Sequence, residues 1–123
     1  MYELLIVDDE LLVREGIKKS IDWNTLNFNQ PFEAYNGIEA WEIIETSDID
    51  VVLTDIKMPG MNGIELIKKI RSGSKPIEVI ILSCYNDFEY VREAINLGAC
   101  DYLFKLDMLS EDILLSIQKA VER

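Results

Sequence analysis

Two apolar runs in this chain end in acids, and this constrains the fold more than any other feature. Leu4-Leu5-Ile6-Val7 leads into Asp8-Asp9, and Val51-Val52-Leu53-Thr54 leads into Asp55. Short continuous apolar runs suit strands covered by helices on both faces. Strands that alternate with helical patterns pair in parallel, so both acid-tipped ends reach one edge of one sheet. Three carboxylates gathered there need a cation. Two later runs end in complementary groups: Val79-Ile80-Ile81-Leu82 meets the hydroxyl of Ser83, and Tyr102-Leu103-Phe104 meets the ammonium of Lys105. Acids, a hydroxyl and a lysine at one sheet edge make a phosphoryl-transfer site.

The pattern predicts five strand-helix units. Strands fall near 3–7, 31–35, 51–55, 78–83 and 101–104, and helices near 10–21, 37–46, 62–71, 86–97 and 110–122. The segment Pro31-Phe32-Glu33-Ala34-Tyr35 alternates, which marks an edge strand, while the other four runs are nearly continuous. Apolar stripes at helical spacing assign Val13, Ile17 and Ile21, then Ala40, Trp41 and Ile44, then Ile67 and Ile70 to the core. Phe88, Val91 and Ile95, and Ile113, Ile117 and Val121, follow the same rule. Asn62-Gly63 opens the third helix, Asn86 and Asp87 are caps for the fourth, Gly98 closes it, and Ser110 with Glu111 and Asp112 starts the fifth. Right-handed crossovers make an open, doubly wound α/β sheet of order 2-1-3-4-5 the economical topology, with the site above strands 1 and 3.

A chain of 123 residues is expected to be one domain, 1–123. No apolar run approaches the roughly 18 to 20 residues that span a bilayer, and the start lacks a signal-peptide pattern, so a cytoplasmic location away from membranes is expected. The formal net charge of −11 would repel a polyanion, which argues against direct nucleic-acid binding by this segment. There is no histidine, so the chain can accept from a phosphohistidine but cannot become one. Cys84 and Cys100 suggest neither a disulfide framework nor zinc, and are expected to be buried thiols.

With these residues placed, the chain resembles the receiver domain of two-component response regulators over essentially its whole length. The matching motifs are Val7-Asp8-Asp9-Glu10, Thr54-Asp55-Ile56-Lys57-Met58-Pro59-Gly60-Met61-Asn62-Gly63, Ile81-Leu82-Ser83, and Gly98-Ala99-Cys100-Asp101-Tyr102-Leu103-Phe104-Lys105. Four motifs in this order are highly specific. Ile21-Asp22-Trp23 and Asn86-Asp87-Phe88-Glu89-Tyr90 further resemble the subgroup whose receivers precede an AraC-type helix-turn-helix output domain. The implied fold is the flavodoxin-like (βα)5 receiver fold.

The resemblance implies a role for each site residue. Asp55 is the phosphoacceptor, since a carboxylate that titrates near ~3.9 when unperturbed needs no general base to attack phosphorus at neutral pH. Mg²⁺ is the implied cofactor, bound directly by Asp9 and Asp55 and by the main-chain carbonyl of Lys57, with Asp8 acting mainly through water. Lys105 pairs with Asp55 at rest and with a phosphoryl oxygen afterwards. Ser83 donates its hydroxyl to the phosphoryl group, and Tyr102 holds the position of the family's switch aromatic, although its ring could instead be core. Lys57 and Tyr85 flank the pocket where the family tunes acyl-phosphate lifetime.

Two positions depart from the family pattern. Leu106 stands where a proline usually follows the lysine, and a cis bond there would cost about 2.5 to 4 kcal/mol, so a trans peptide and a less tightly aimed Lys105 are expected. Cys84 replaces the usual glycine or alanine, which narrows access to Asp55.

Other readings fit less well. A flavin carrier would need a Ser/Thr/Gly-rich phosphate loop where Asp8-Asp9-Glu10 stands. A haloacid-dehalogenase-type phosphatase would need an acid where Lys57 stands. The expected function is a signalling switch, not a metabolic enzyme, although it can catalyse its own Mg²⁺-dependent phosphorylation and dephosphorylation. A sensor histidine kinase is the donor, and a homodimer through the face made by helix 4, strand 5 and helix 5 is a possible output. The alternative is a receiver-like interaction module that works without phosphorylation. The chain is expected to be either a stand-alone receiver or, preferably, the N-terminal part of a transcription regulator.

Overall fold

In the computed structural model, which describes residues 1–84, 87–106 and 110–122, five strands alternate with five helices among the described residues. The elements are β1 (Leu4–Val7), α1 (Leu11–Ser20), β2 (Phe32–Ala34), α2 (Gly37–Thr46), β3 (Val51–Asp55), α3 (Gly63–Ser72), β4 (Glu78–Ser83), α4 (Phe88–Asn96), β5 (Asp101–Phe104) and α5 (Ser110–Val121). The five strands form one parallel sheet of order β2-β1-β3-β4-β5, the predicted topology. Alternation along the central strands divides the core into two layers. Leu5, Val7 and Val52 pack with Ile44, Ile67 and Ile70 from α2 and α3. Leu4, Ile6 and Leu53 pack with Ile17 of α1 and with Ile113 and Ile117 of α5. Among the described residues no helix is long and apolar enough to cross a membrane.

Register explains why the functional groups converge. β1 pairs Val7 with Thr54 of β3, β3 pairs Asp55 with Leu82 of β4, and β4 pairs Ser83 with Phe104 of β5. Each chemically active residue therefore sits at, or one step beyond, the last paired position of its strand. All four strands release their side chains at the same edge.

Local chemistry sets the helix that follows Asp55. Asn62 accepts the Glu65 N–H at 2.9 Å while Glu65 accepts the Asn62 N–H at 3.1 Å, a reciprocal capping box that satisfies two end donors. A Cβ at Gly63 would lie 2.3 Å from the Asp55 carbonyl oxygen, so only glycine lets α3 start this close to the site strand. Gly98 closes α4 with φ +93°, a left-handed turn that few side chains tolerate.

Several expectations need correction. Phe88 and Ile95 are 70% and 45% exposed, so the apolar stripe of α4 is only half core, with Val91 and Ala94 forming the buried part. α4 packs on β4 and α3, while Phe88 and Ile95 line an open groove beside Tyr102 and Phe104 of β5. β5 is also an edge strand, and its burial alternates, leaving Tyr102 exposed and Leu103 buried. Cys100 is buried as expected, but Cys84 is exposed because it lies just past the end of β4. Asp87 makes no side-chain cap on α4. Asn86, expected to help cap α4, lies outside the described residues, as does Tyr85.

Candidate functional site: an acid pair around a lysine

Asp8 and Asp55 lie at the C-terminal ends of neighbouring strands, and Lys105 is held between them. Its ammonium is 2.8 Å from Asp8 Oδ2 and 2.9 Å from Asp55 Oδ2. Both carboxylates are buried, and the lysine side chain is only 12% exposed. The remaining carboxylate oxygens are also used. Asp8 Oδ1 accepts the Glu10 N–H at 2.9 Å, and Asp55 Oδ1 accepts the Ile56 N–H at 2.8 Å. The backbone of this corner is anchored as well: the Asp8 N–H donates to Ala34, its carbonyl accepts from Arg14 Nη1 at 2.6 Å, and Thr54 Oγ1 donates to the Asp55 carbonyl at 2.8 Å.

Burial sets the electrostatics. Desolvation pushes the Asp8 carboxyl above its ordinary value, with the Lys105 ammonium working against that shift. Asp55 moves the same way, by burial first and then by the nearby Asp8 charge, again opposed by Lys105. Burial alone would lower the Lys105 ammonium, but hydrogen bonds and charge from Asp8 and Asp55 outweigh it and raise it well above the usual lysine range. The site therefore holds two carboxylates on one firmly charged cation. The expectation of a loosely aimed Lys105 is overturned: no described peptide is cis, and two short ion pairs fix the side chain, helped by its own N–H donating to the Ser83 carbonyl at 2.9 Å.

The other expected residues are placed around this triad. Asp9 is exposed, and its carboxylate gathers with those of Asp8 and Glu10, with oxygens within 4.8 Å of one another. Such hard oxygen donors, in excess of the local positive charge, fit a divalent cation. Glu10, also 3.7 Å from Lys105, was only a motif residue in sequence terms, and its position directly after the acid pair was the available signal. Ser83 is fully buried, and its Oγ has no hydrogen-bond partner among the described residues, an unmet donor beside the triad. Tyr102 is 41% exposed and meets Phe104 edge-on at 5.5 Å, so its ring is at the surface and not in the core. Leu106 is 80% exposed.

The Lys57 side chain turns away from the acids. Its ammonium is 3.0 Å from Asp87 Oδ1 and 5.7 Å from the centre of the Tyr90 ring. Asp87 is 2% exposed and receives the Cys84 N–H on its other oxygen at 2.9 Å. Asp87 thus ties two loops together where a cap is expected, and nothing in a lone helix-start acid distinguishes the two roles.

The family model described as response regulator receiver domain matches residues 4–117. The chain belongs to the response regulator receiver family. It is 42% identical over 105 residues to the transcriptional regulatory protein YesN of Bacillus subtilis, covering 85% of this chain and 28% of that protein. It is 41% identical over 105 residues to the transcriptional regulatory protein HptR of Staphylococcus aureus, covering 85% of this chain and 41% of that protein. The matched region thus spans between about a quarter and two fifths of the length of these relatives. Among solved structures, the receiver domain of AraT from Geobacillus stearothermophilus superposes with a TM-score of 0.87 at 35% identity, over 98% of this chain and 94% of that one. The two-component transcriptional regulator AraC from Clostridium phytofermentans gives 0.85 at 35% identity, over 99% and 93%. Phosphorylation-dependent switching is the standard function of this receiver family, whose members are signalling switches that bind Mg²⁺ at an acidic pocket.

Proposed function

We propose that this receiver domain, residues 1–123, takes a phosphoryl group from the phosphohistidine of a sensor histidine kinase onto Asp55. The observation that carries this reading is the Asp8–Lys105–Asp55 triad, with a buried Ser83 hydroxyl that has no hydrogen-bond partner among the described residues. Asp55 attacks phosphorus, the phosphorus–nitrogen bond of the donor breaks, and an acyl phosphate forms. Lys105 already faces Asp55 Oδ2 and can follow the negative charge onto a phosphoryl oxygen without a large movement. Ser83 supplies a buried hydroxyl donor that makes no hydrogen bond among the described residues.

Asp9, Asp55 and the Lys57 carbonyl would hold Mg²⁺ directly, with Asp8 acting through water. Bound there, Mg²⁺ would neutralise charge on the phosphoryl oxygens. The acyl phosphate then favours a conformer in which Ser83 has moved and Tyr102 enters the space vacated, remodelling the surface of α4, β5 and α5. That surface contains a groove of about 310 Å³ lined by Phe88, Val91, Ile95, Tyr102 and Phe104, suited to a phosphorylation-dependent homodimer. The output is transcriptional control by a DNA-binding domain of AraC type on the same polypeptide, in the cytoplasm, with no DNA contact by this acidic segment.

The test is the intact mass after incubation with acetyl phosphate, with and without Mg²⁺, for wild type and Asp55→Asn. A gain of one phosphoryl group that needs both Mg²⁺ and Asp55 is expected, and it would also demonstrate self-catalysed phosphorylation. A folded wild type that gains nothing from acetyl phosphate or from a cognate kinase would leave the non-phosphorylated interaction module as the better reading.

A further inference from the structure

Asp87 is a buried carboxylate outside the triad, and its contacts reach three functional segments. One oxygen receives the Cys84 N–H at 2.9 Å, directly after Ser83, and the Asp87 N–H returns to the Cys84 carbonyl at 3.1 Å. The other oxygen faces the Lys57 ammonium at 3.0 Å, two residues after Asp55. The Asp87 carbonyl accepts the Val91 N–H at 2.9 Å, the first turn of α4. Lys57 makes a second contact with α4 through the Tyr90 ring. Lys57 is largely exposed, with 58% of its side chain open to solvent, while Asp87 is almost fully enclosed. A carboxylate removed from water needs this partner, whereas a solvated lysine does not need the carboxylate. The enclosed acid is therefore the dependent member of the pair.

We propose that Asp87 is a positioning residue, and that its pairing with Lys57 is a latch holding the start of α4 against the loop that follows the phosphoacceptor strand. The proposal rests on the phosphoacceptor reading of Asp55, because only a change at that loop gives the latch something to report. With the pair intact, α4 stays in its resting position. When Lys57 moves, Asp87 loses its charge partner and the start of α4 is released, together with the Ser83–Cys84 turn. Opening the latch by substitution shifts the population toward the phosphorylated conformer before any phosphoryl group arrives.

The experiment compares wild type, Lys57→Met, Lys57→Arg, Asp87→Asn and the Met/Asn double variant. One readout is the initial rate of mass gain from acetyl phosphate at fixed Mg²⁺. The other is the amide NMR spectrum of α4, referenced to wild type with and without beryllofluoride and Mg²⁺. Lys57→Met and Asp87→Asn are each expected to raise the rate about two- to tenfold, and the double variant no further than either single. Amides from Val91 to Asn96 should move along the line joining the free and beryllofluoride-bound positions. Lys57→Arg should restore wild-type behaviour.

Charge alone predicts something different. Removing a cation and removing an anion near an anionic donor would change the rate in opposite directions, and that result would overturn the latch. Additive effects, or α4 amides that stay at their resting positions, would also overturn it. A wild type that gains no phosphoryl group would instead overturn the phosphoacceptor reading, and the latch with it.

Discussion

α3 and α4 both follow loops that leave site strands, and both carry apolar residues at helical spacing, yet they are held in opposite ways. α3 begins with a reciprocal capping box, lies so close to Asp55 that only glycine fits at position 63, and buries Ile64, Leu66, Ile67 and Ile70. At the start of α4 the Asp87 side chain makes no capping hydrogen bond, and the helix buries Val91 and Ala94 while leaving Phe88 and Ile95 exposed. Its start is tied to the rest of the domain by the Asp87 contacts with Cys84 and Lys57. The contrast separates two tasks. A phosphoryl-transfer site needs fixed carboxylates, whereas a switch needs a neighbouring element held weakly enough to be moved by a few kcal/mol.

The largest effect that could break this comparison is in the cores of the two helices. Ile67→Ala should cost about 2–5 kcal/mol of stability, while Ile95→Ala should cost less than about 1 kcal/mol, measured by urea unfolding. Ile95→Ala should instead weaken the proposed phosphorylation-dependent dimer in sedimentation. Equal stability losses would show that α4 is as firmly packed as α3.

The next effect concerns the buried acids on the fixed side. Asp8 and Asp55 have folded pKa values raised by burial, so the folded chain keeps their protons longer than the unfolded chain does. Their contribution to stability is therefore present below the ordinary carboxylate value of 3.8 and is lost as pH rises through the raised folded values. Lys105, raised in turn, stays charged throughout that window. Mg²⁺ should reverse the loss, adding about 2.7 kcal/mol at a hundredfold excess over its Kd, and it should raise Tm more at pH 7 than at pH 5 because protons compete for the same oxygens. A Tm that rises equally at both pH values would mean that the metal does not engage these carboxylates.

The smallest effect sharpens the contrast from the opposite sheet edge. Glu33 of β2 accepts from Arg14 and Lys18 of α1 at 3.0 Å each, and these partners lower its carboxyl pKa despite partial burial. Glu33→Gln should cost about 0.2–1 kcal/mol at neutral pH, an effect that fades as pH falls below the ordinary 4.5 and through the folded value. A loss larger than that of Ile67→Ala would mean that ion pairs, and not core packing, hold the fixed side together.

Much of the site was legible in the chain because its residues lie at strand ends. Parallel pairing carries Asp8, Asp55, Ser83 and Lys105 to one edge whatever the loops do, so knowing the strands was enough to bring them together. Leu106 misled for a related reason. The residue after Lys105 was given control of its aim, but the two acids that grip the ammonium come from β1 and β3, far away in the sequence. The role of Asp87 is not legible locally, because capping is the commonest use of an acid at a helix start and the Lys57 that claims it belongs to another loop.

The sequence by itself determined the alternation of strands and helices, the sheet order and the identity of the clustered acids, because apolar periodicity and strand-end position are local properties. Only the tertiary structure decided which apolar residues are core and which are surface, since Ile67 and Ile95 follow the same period and differ only in what lies opposite them. It also decided the partners of Lys105, Lys57 and Asp87. Charge pairing depends on distances of about 3 Å between segments that no spacing along the chain specifies.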